Sequence, residues 1–261
     1  MSNCRFVAGV LVVLASLTSS GCKEGQCPAV KDEFDSCGSG FFIEFDPWDD
    51  RASDFRPFPN PLKTMRQPFK SGTTGYSPNY GGTYGPLLNT LDGFGAYSPV
   101  VLKLNDAIDP VFLPQTPLES LDPASPVFIV DYEVIRADPT APFASVVHPV
   151  TAWYNREQVT NVPIDALIIA PYEPLQPKHE YAVVVTTALR TWTDPLHQQP
   201  SSCVGPSEQF NCVKSGSEVD PVLEEMRVGV KPLFAWLDTQ GYARGEISIA
   251  LHYMTASVED E

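Results

Sequence analysis

The chain is predicted to be mainly β, an antiparallel sandwich behind a proline- and aromatic-rich N-terminal segment. Three observations carry that reading. Short apolar runs rich in β-branched residues recur from residue 100 onward, each bounded by Pro, Asp, Asn or Gly. Prolines number 26 among 261 residues, about twice the usual share, so few windows remain for a long helix. One such window lies near the C-terminal end, and there the apolar spacing turns helical.

Taken in order, residues 1–21 read as a signal peptide. Arg5 is the positive residue, Phe6 to Leu17 is a short apolar run, and Thr18-Ser19-Ser20-Gly21 is a small-residue tail. The apolar run is too short to span a bilayer, which takes about 20 residues. Residues 22–40 form a polar, Gly- and Cys-containing tether. Residues 41–95 are rich in Pro, Gly and aromatics, which excludes helix interior and central strand. From 96 to 256 the strand signals accumulate: Val100–Leu104, Val127–Val134, Ala166–Ile169 and Tyr181–Val185, with no helix expected between them. Six Asp-Pro steps, at 46, 109, 122, 138, 194 and 220, mark turns or caps. Over 221–240, Val222, Leu223, Met226, Val230, Leu233, Phe234 and Leu237 lie on one helical face. Asp220 serves as N-cap, Pro221 takes the first helical position, and Gly241 is a stop. Pro232 is expected to kink or interrupt this helix. Ile247, Ile249, Leu251 and Tyr253 then alternate with Ser248, Ala250 and His252, the pattern of a half-buried last strand with His252 outward.

Composition excludes several functions. A net charge of −15 argues against nucleic acid as partner, because phosphate contacts need clustered Lys and Arg. It also argues against a polybasic membrane-surface module. A hydrophobic content of 43 % is enough to bury a core, which excludes wholesale disorder.

Six cysteines are present: Cys4, Cys22, Cys27, Cys37, Cys203 and Cys212. Small residues followed by Cys22 after an apolar run resemble the lipobox of bacterial lipoproteins. The resemblance implies a lipid on Cys22 that anchors the chain to a membrane, with plain signal cleavage nearby as the alternative. Cys4 leaves with the signal peptide. Cys27, Cys37, Cys203 and Cys212 remain, an even set suited to disulfides in an oxidising compartment. Three connectivities are open, and proximity in the chain favours 27–37 with 203–212. A zinc site lacks both a Cys-x-x-Cys pair and a nearby His. No metal or cofactor is expected. Asp46, Asp49, Asp50 and Asp54 could offer oxygen ligands, but without the glycine and terminal Glu of a calcium loop.

No catalytic residue stands out. His148, His179, His197 and His252 have no nucleophile at a motif spacing and read as surface or loop histidines. Glu224-Glu225 and the Asp49-Asp50 pair read as solvated acids rather than glycosidase carboxylates. The aromatics Phe41, Phe42, Phe45, Trp48, Phe55, Phe58, Tyr76, Tyr80, Tyr84, Phe94 and Tyr97 could line a carbohydrate- or lipid-binding surface. The favoured reading is that they wrap the sandwich as core.

Phe45-Asp46-Pro47, Pro57-Phe58-Pro59-Asn60-Pro61-Leu62, Leu88-Asn89-Thr90-Leu91-Asp92-Gly93-Phe94, Ala107-Ile108-Asp109-Pro110 and Pro174–Thr186 together resemble the N-terminal, Ig-like domain of bacterial virulence-factor lipases. The resemblance covers most of residues 41–256, and the Asn-Thr-Leu-Asp-Gly-Phe run is its most specific part. It implies an Ig-like sandwich over 96–256, export, and a cell-envelope location, either as an outer-membrane lipoprotein or as a secreted protein. Lys23 stands after Cys22 where an inner-membrane lipoprotein would carry Asp. In that family an α/β-hydrolase domain follows and holds the lipase serine. This chain has no Gly-x-Ser-x-Gly elbow, and the strings around Ser39 and Ser77 lack the flanking glycines. The expectation is therefore a non-catalytic surface module. The alternative is the front of a lipase or esterase whose hydrolase domain lies beyond residue 261.

Overall fold

The computed structural model describes residues 36–37, 40–45, 92–159, 162–192, 202–215 and 221–257. The signal peptide, Cys22, Cys27, the segment 46–91 with its four aspartates and most of its aromatics, Ser39 and His197 lie outside the described residues.

The structure is mostly β, with two antiparallel sheets and a few helices. Strands β1 (Val100–Leu104), β5 (Val162–Pro171) and β4 (Val150–Val159) form a three-stranded sheet in the order β1-β5-β4. Strands β3 (Val147–His148), β2 (Val127–Asp131), β6 (Glu180–Thr186) and β7 (Ile247–Met254) form a four-stranded sheet in the order β3-β2-β6-β7. Among the described residues, helices α1 (Tyr132–Ala137), α2 (Phe143–Val146), α3 (Glu208–Lys214) and α4 (Pro221–Thr239) and three short 3-10 turns accompany the strands. Both sheets contribute to one buried cluster, which is consistent with a sandwich.

In the three-stranded sheet the period-2 pattern behaves as expected. Val100, Leu102 and Leu104 are buried, and Val101 and Lys103 are partly exposed. Opposite them stand Ile169, Leu167 and Asp165, also buried. The four-stranded sheet differs, because it is covered on both faces. Every residue of β6 is buried, as is every residue of β7 except Met254. One face meets the helices: Phe128 contacts Phe143 edge-on, and His252 stacks on Tyr132. On the other face Tyr253 meets Phe94 and Tyr181. The expectation of a half-buried last strand with an outward His252 is thus overturned. Ser248, Ala250 and His252 do point away from the apolar set, but α4 and α1 lie over them.

Helices stand between the strands where none was expected, and their caps explain them. β2 stops at Asp131 rather than continuing to Val134, because the Asp131 carboxylate accepts a hydrogen bond from Val134 N at 2.9 Å and starts α1. Ser207 caps α3 in the same way through Phe210 N. Three of the Asp-Pro steps fall where turns and caps were expected: Asp109 caps a short 3-10 turn, Asp122 accepts from Ala124 N, and Asp138 closes α1.

The long helix starts at the expected proline and stops at the expected glycine, while Asp220, the expected N-cap, lies outside the described residues. Pro221 is its first residue. At the other end Gly241 takes φ +90°, with Gly241 N on Asp238 O and Tyr242 N on Leu237 O. That is the left-handed stop a glycine permits. The helix runs through Pro232 without the interruption that was one of the two outcomes expected there. Pro232 frees the carbonyl of Val228, a residue 57 % exposed, where water can take the hydrogen bond. Met226, Val230, Leu233, Phe234, Trp236 and Leu237 form the buried stripe.

The motif Asp92-Gly93-Phe94 has a definite task in this fold. Phe94 N bonds Met254 O and Ala256 N bonds Phe94 O, so Phe94 adds one bridge to the edge of β7. The Asp92 carboxylate accepts from Ser257 N at 2.8 Å. Burial works against ionisation of Asp92, yet the Ser257 hydrogen bonds outweigh it and hold the carboxyl below its usual range. A Cβ on Gly93 would lie 2.5 Å from the Thr255 carbonyl carbon, so only glycine lets the two chains approach this closely.

Candidate functional site

Three of the four sequence-flagged histidines fall within the described residues, and all three are held by the fold rather than free at its surface. His179, just before β6, has Nε2 at 2.9 Å from Asp131 Oδ2 and Nδ1 at 3.4 Å from Glu133 Oε2. Those carboxylates come from the end of β2 and the start of α1, and the α1 cap brings them together. His148 on β3 stands edge-on to the Tyr181 ring, and His179 lies 5.0 Å from the same ring. Burial, with His179 adding to it, pushes the His148 imidazole below its ordinary value, against the pull of Asp131 and Glu173. Gln176 N donates to the Tyr181 hydroxyl at 2.9 Å.

This cluster has the acid and base of a triad without the nucleophile. A catalytic histidine needs one ring nitrogen facing a hydroxyl or thiol while the other is oriented by an acid. In His179 a carboxylate faces each nitrogen, and no described serine, threonine or cysteine side chain is bonded to either. Among the described residues no group of three His, Cys, Asp or Glu side chains is arranged to hold a metal ion. Replacing His179 with Gln is expected to cost under about 1 kcal/mol of stability, because its contacts with Asp131 and Glu133 are partly exposed to solvent. Chemical denaturation of the two proteins at pH 7 checks this.

His252 is the most deeply set of the three. It lies against Tyr132 and Arg136 of α1, Glu180 of β6 and Gly229 of α4. Tyr132 donates a short hydrogen bond from its hydroxyl to the Gly229 carbonyl. A Cβ on Gly229 would stand 2.6 Å from His252 Cε1, so the glycine is what admits the ring. His252 Nδ1 has no hydrogen-bond partner among the described residues. Burial pushes its pKa down; Glu180 opposes this and Arg136 adds to it. The unfolded chain takes up this proton near pH 6.5 while the folded chain resists it. The stability from His252 is therefore complete above about pH 6.5 and is lost as pH falls, by up to about 1.4 kcal/mol per pH unit. Between pH 7.5 and 5 the wild-type protein is expected to lose more stability than His252→Gln, by no more than about 2 kcal/mol, read from urea midpoints at each pH. Equal losses would show that His252 does not carry the effect.

Acids noted in the sequence resolve into local pairs. Glu224 is bound to Arg227 one turn along α4. A feature the sequence reading missed is Asp165 on the inner face of β5, 6 % exposed, which accepts a short hydrogen bond from Tyr154 and lies 3.5 Å from Arg156 Nε. Burial, then Asp165, pushes the Tyr154 phenol upward.

The aromatic segment divides. Phe45 and Phe94 are buried in the core, with Phe45 edge-on to Phe210, while Tyr97 is exposed. Also missed by the sequence reading is an open cleft of about 350 Å³ formed by the loop after β1, lined by Val111, Phe112, Leu113 and Pro126 with the carboxylates of Glu119 and Asp122. The loop is held firmly: Asp109 accepts from Val111 N, Gln115 Nε2 donates to the Pro110 and Leu113 carbonyls, and Glu119 accepts from Gln115 N. Val111 at 69 % and Leu118 at 78 % exposure are thereby presented to solvent.

The cysteines are not paired as chain proximity suggested. Cys37 is joined to Cys203, 166 residues away, so neither 27–37 nor 203–212 forms. The reason is the course of residues 40–45. Gly205 N bonds Phe41 O, Phe42 bridges Gly205, and Ile43 bridges Leu104 at the edge of β1. That docking brings the tether to the 203–205 segment. Cys212 is also disulfide-bonded, to a cysteine outside the described residues.

No family model, no curated protein and no solved structure matches this chain.

Proposed function

We propose that this chain is an exported, lipid-anchored, non-catalytic Ig-like module of the bacterial cell envelope, similar to the N-terminal domain of virulence-factor lipases. The observation that carries the reading is the Cys37–Cys203 crosslink, which joins distant parts of the chain and belongs in an oxidising compartment. The signal-peptide pattern before Cys22 agrees with it. The test is the intact mass of the native protein with its N-terminal peptide. Acyl chains on Cys22 and a mass near that of residues 22–261 are the expected result, and an unmodified Cys22 overturns the anchor.

A second reading is favoured by one contact. Asp92-Gly93-Phe94, the described end of the Asn-Thr-Leu-Asp-Gly-Phe run, closes on Met254–Ser257, the strand from which a following domain would depart. On this reading the chain is the front of a lipase or esterase, and the hydrolase chemistry lies beyond residue 261. Native protein tens of kilodaltons heavier, with p-nitrophenyl ester hydrolysis absent from residues 22–261 alone, supports it. Hydrolysis by residues 22–261 alone overturns both readings.

A further inference from the structure

We propose that the cleft formed by the loop after β1 binds a basic segment of a partner protein, taking the stem of a Lys or Arg side chain against Phe112 and Pro126 and its charged head beside Glu119 and Asp122. The site is independent of any lipid on Cys22 and of any domain beyond residue 261.

Three features of the loop select that occupant. The first is charge without a counter-charge. Between Lys103 and Arg136 the chain carries six carboxylic acids and no Lys, Arg or His. Among the described residues neither Glu119 nor Asp122 has an ion-pair partner. Both are exposed and line the cleft. Glu119 accepts from Gln115 N and Thr116 Oγ1, and Asp122 Oδ1 accepts from Ala124 N. A carboxylate can accept about four hydrogen bonds, so each keeps acceptor sites for a cation.

The second feature is apolar surface in the same place. Val111, Phe112, Leu113, Pro114 and Pro126 make most of the remaining wall. Lys and Arg lay an apolar stem along such a surface while the charged head reaches a polar rim. An anionic ligand or a purely apolar one leaves half of this wall unmatched. A volume of about 350 Å³ is at the small end for ligand pockets and suits one side chain with its neighbours. Apolar surface continues outside the cleft at Leu118, beside Glu119 and 78 % exposed. A polypeptide can cover that surface, and an isolated organic cation does not.

The third feature is stiffness. Ser120 Oγ donates to the Pro117 carbonyl and accepts from Val150 N at 2.9 Å, which ties the loop to β4. Ser125 Oγ donates to the Val127 carbonyl at the start of β2. A site already held in shape loses little freedom on binding. The net charge of −15 draws a cationic partner in from a distance.

The test is a titration of the isotope-labelled protein with acetyl-Phe-Arg-Phe-amide, followed by its backbone amide shifts. Shifts are expected to concentrate in residues 111–126, and Glu119→Gln/Asp122→Asn is expected to weaken binding by about fivefold. Gln and Asn keep the acceptor oxygens used by Gln115 N and Ala124 N, so the loop keeps its shape. Phe112→Ser, outside the buried core, is expected to weaken binding by about threefold. Equal binding of acetyl-Phe-Glu-Phe-amide, unchanged affinity in the double variant, or shifts spread over other acidic surfaces overturns the site. Equal affinity for n-butylguanidinium alone assigns the cleft to a free organic cation and overturns the partner protein. A dimer in sedimentation that dissociates in Phe112→Ser assigns the cleft to a second copy and likewise overturns it.

Discussion

Replacing Cys37 with Ser is expected to lower the stability of the oxidised protein by about 3–4 kcal/mol. The bond joins residues 166 apart in sequence, and the entropy a crosslink removes from the unfolded chain grows with the logarithm of the ring it closes. Because Cys212 is disulfide-bonded as well, that ring is much shorter than the separation, and the loss stays below the roughly 5 kcal/mol of an isolated bond of this span. Guanidinium unfolding of the variant and the parent, both without reductant, checks the value. A loss under about 1 kcal/mol would mean that the unfolded chain is already constrained here by something other than these bonds.

Replacing Trp236 with Ala is expected to cost about 3–5 kcal/mol, the range for emptying a large aromatic site in a core that cannot collapse. Trp236 is fully buried, stacks on Phe143 at 5.9 Å with the rings 14° from parallel, and donates from Nε1 to the Ala141 carbonyl at 2.8 Å. Phe143 in turn meets Phe128 of β2. The ring thus links α4 through α2 to the sheet, and its loss leaves both a cavity and an acceptor with only the longer Gln240 Nε2 contact at 3.3 Å. Trp236→Phe keeps most of the packing and is expected to recover more than half of the loss. Urea midpoints for the three proteins check the order. Were Phe no better than Ala, the hydrogen bond rather than the packing would dominate.

The sequence carried local signals faithfully and missed what required a partner across space. β1, β6 and β7 were legible because a run of β-branched residues between turn residues has no other good conformation. The stop at Gly241 was legible because the left-handed turn nearly demands glycine. The end of β2 was not, because Val127–Val134 is apolar enough to continue and only the Asp131 side chain reaching Val134 N decides otherwise. His252 was misplaced for a different reason. Alternation says which residues share a face but not whether that face meets water, and α4 supplies the cover from a segment earlier in the chain. The cysteine pairing failed in the same way, since chain proximity competes with the docking of 40–45 on β1 and Gly205. The cleft had no sequence signal beyond a Pro-Val-Phe-Leu-Pro string.

The margins of the two sheets bear on how such proteins coexist at high density. An open strand margin carries unpaired N–H and C=O groups that any extended chain can zip onto, the first step toward insoluble polymers. Here β1 is shielded where Ile43 bridges Leu104, and β7 is shielded at its end by Phe94. Of the remaining two margins, β3 is only two residues long, and β4 carries the cation of Arg156, whose side chain is 54 % exposed. Short length and an exposed charge are each enough to discourage pairing. The segments that reach back over β1 and β7 therefore act as stoppers, letting neighbouring copies crowd together without fusing into a common sheet.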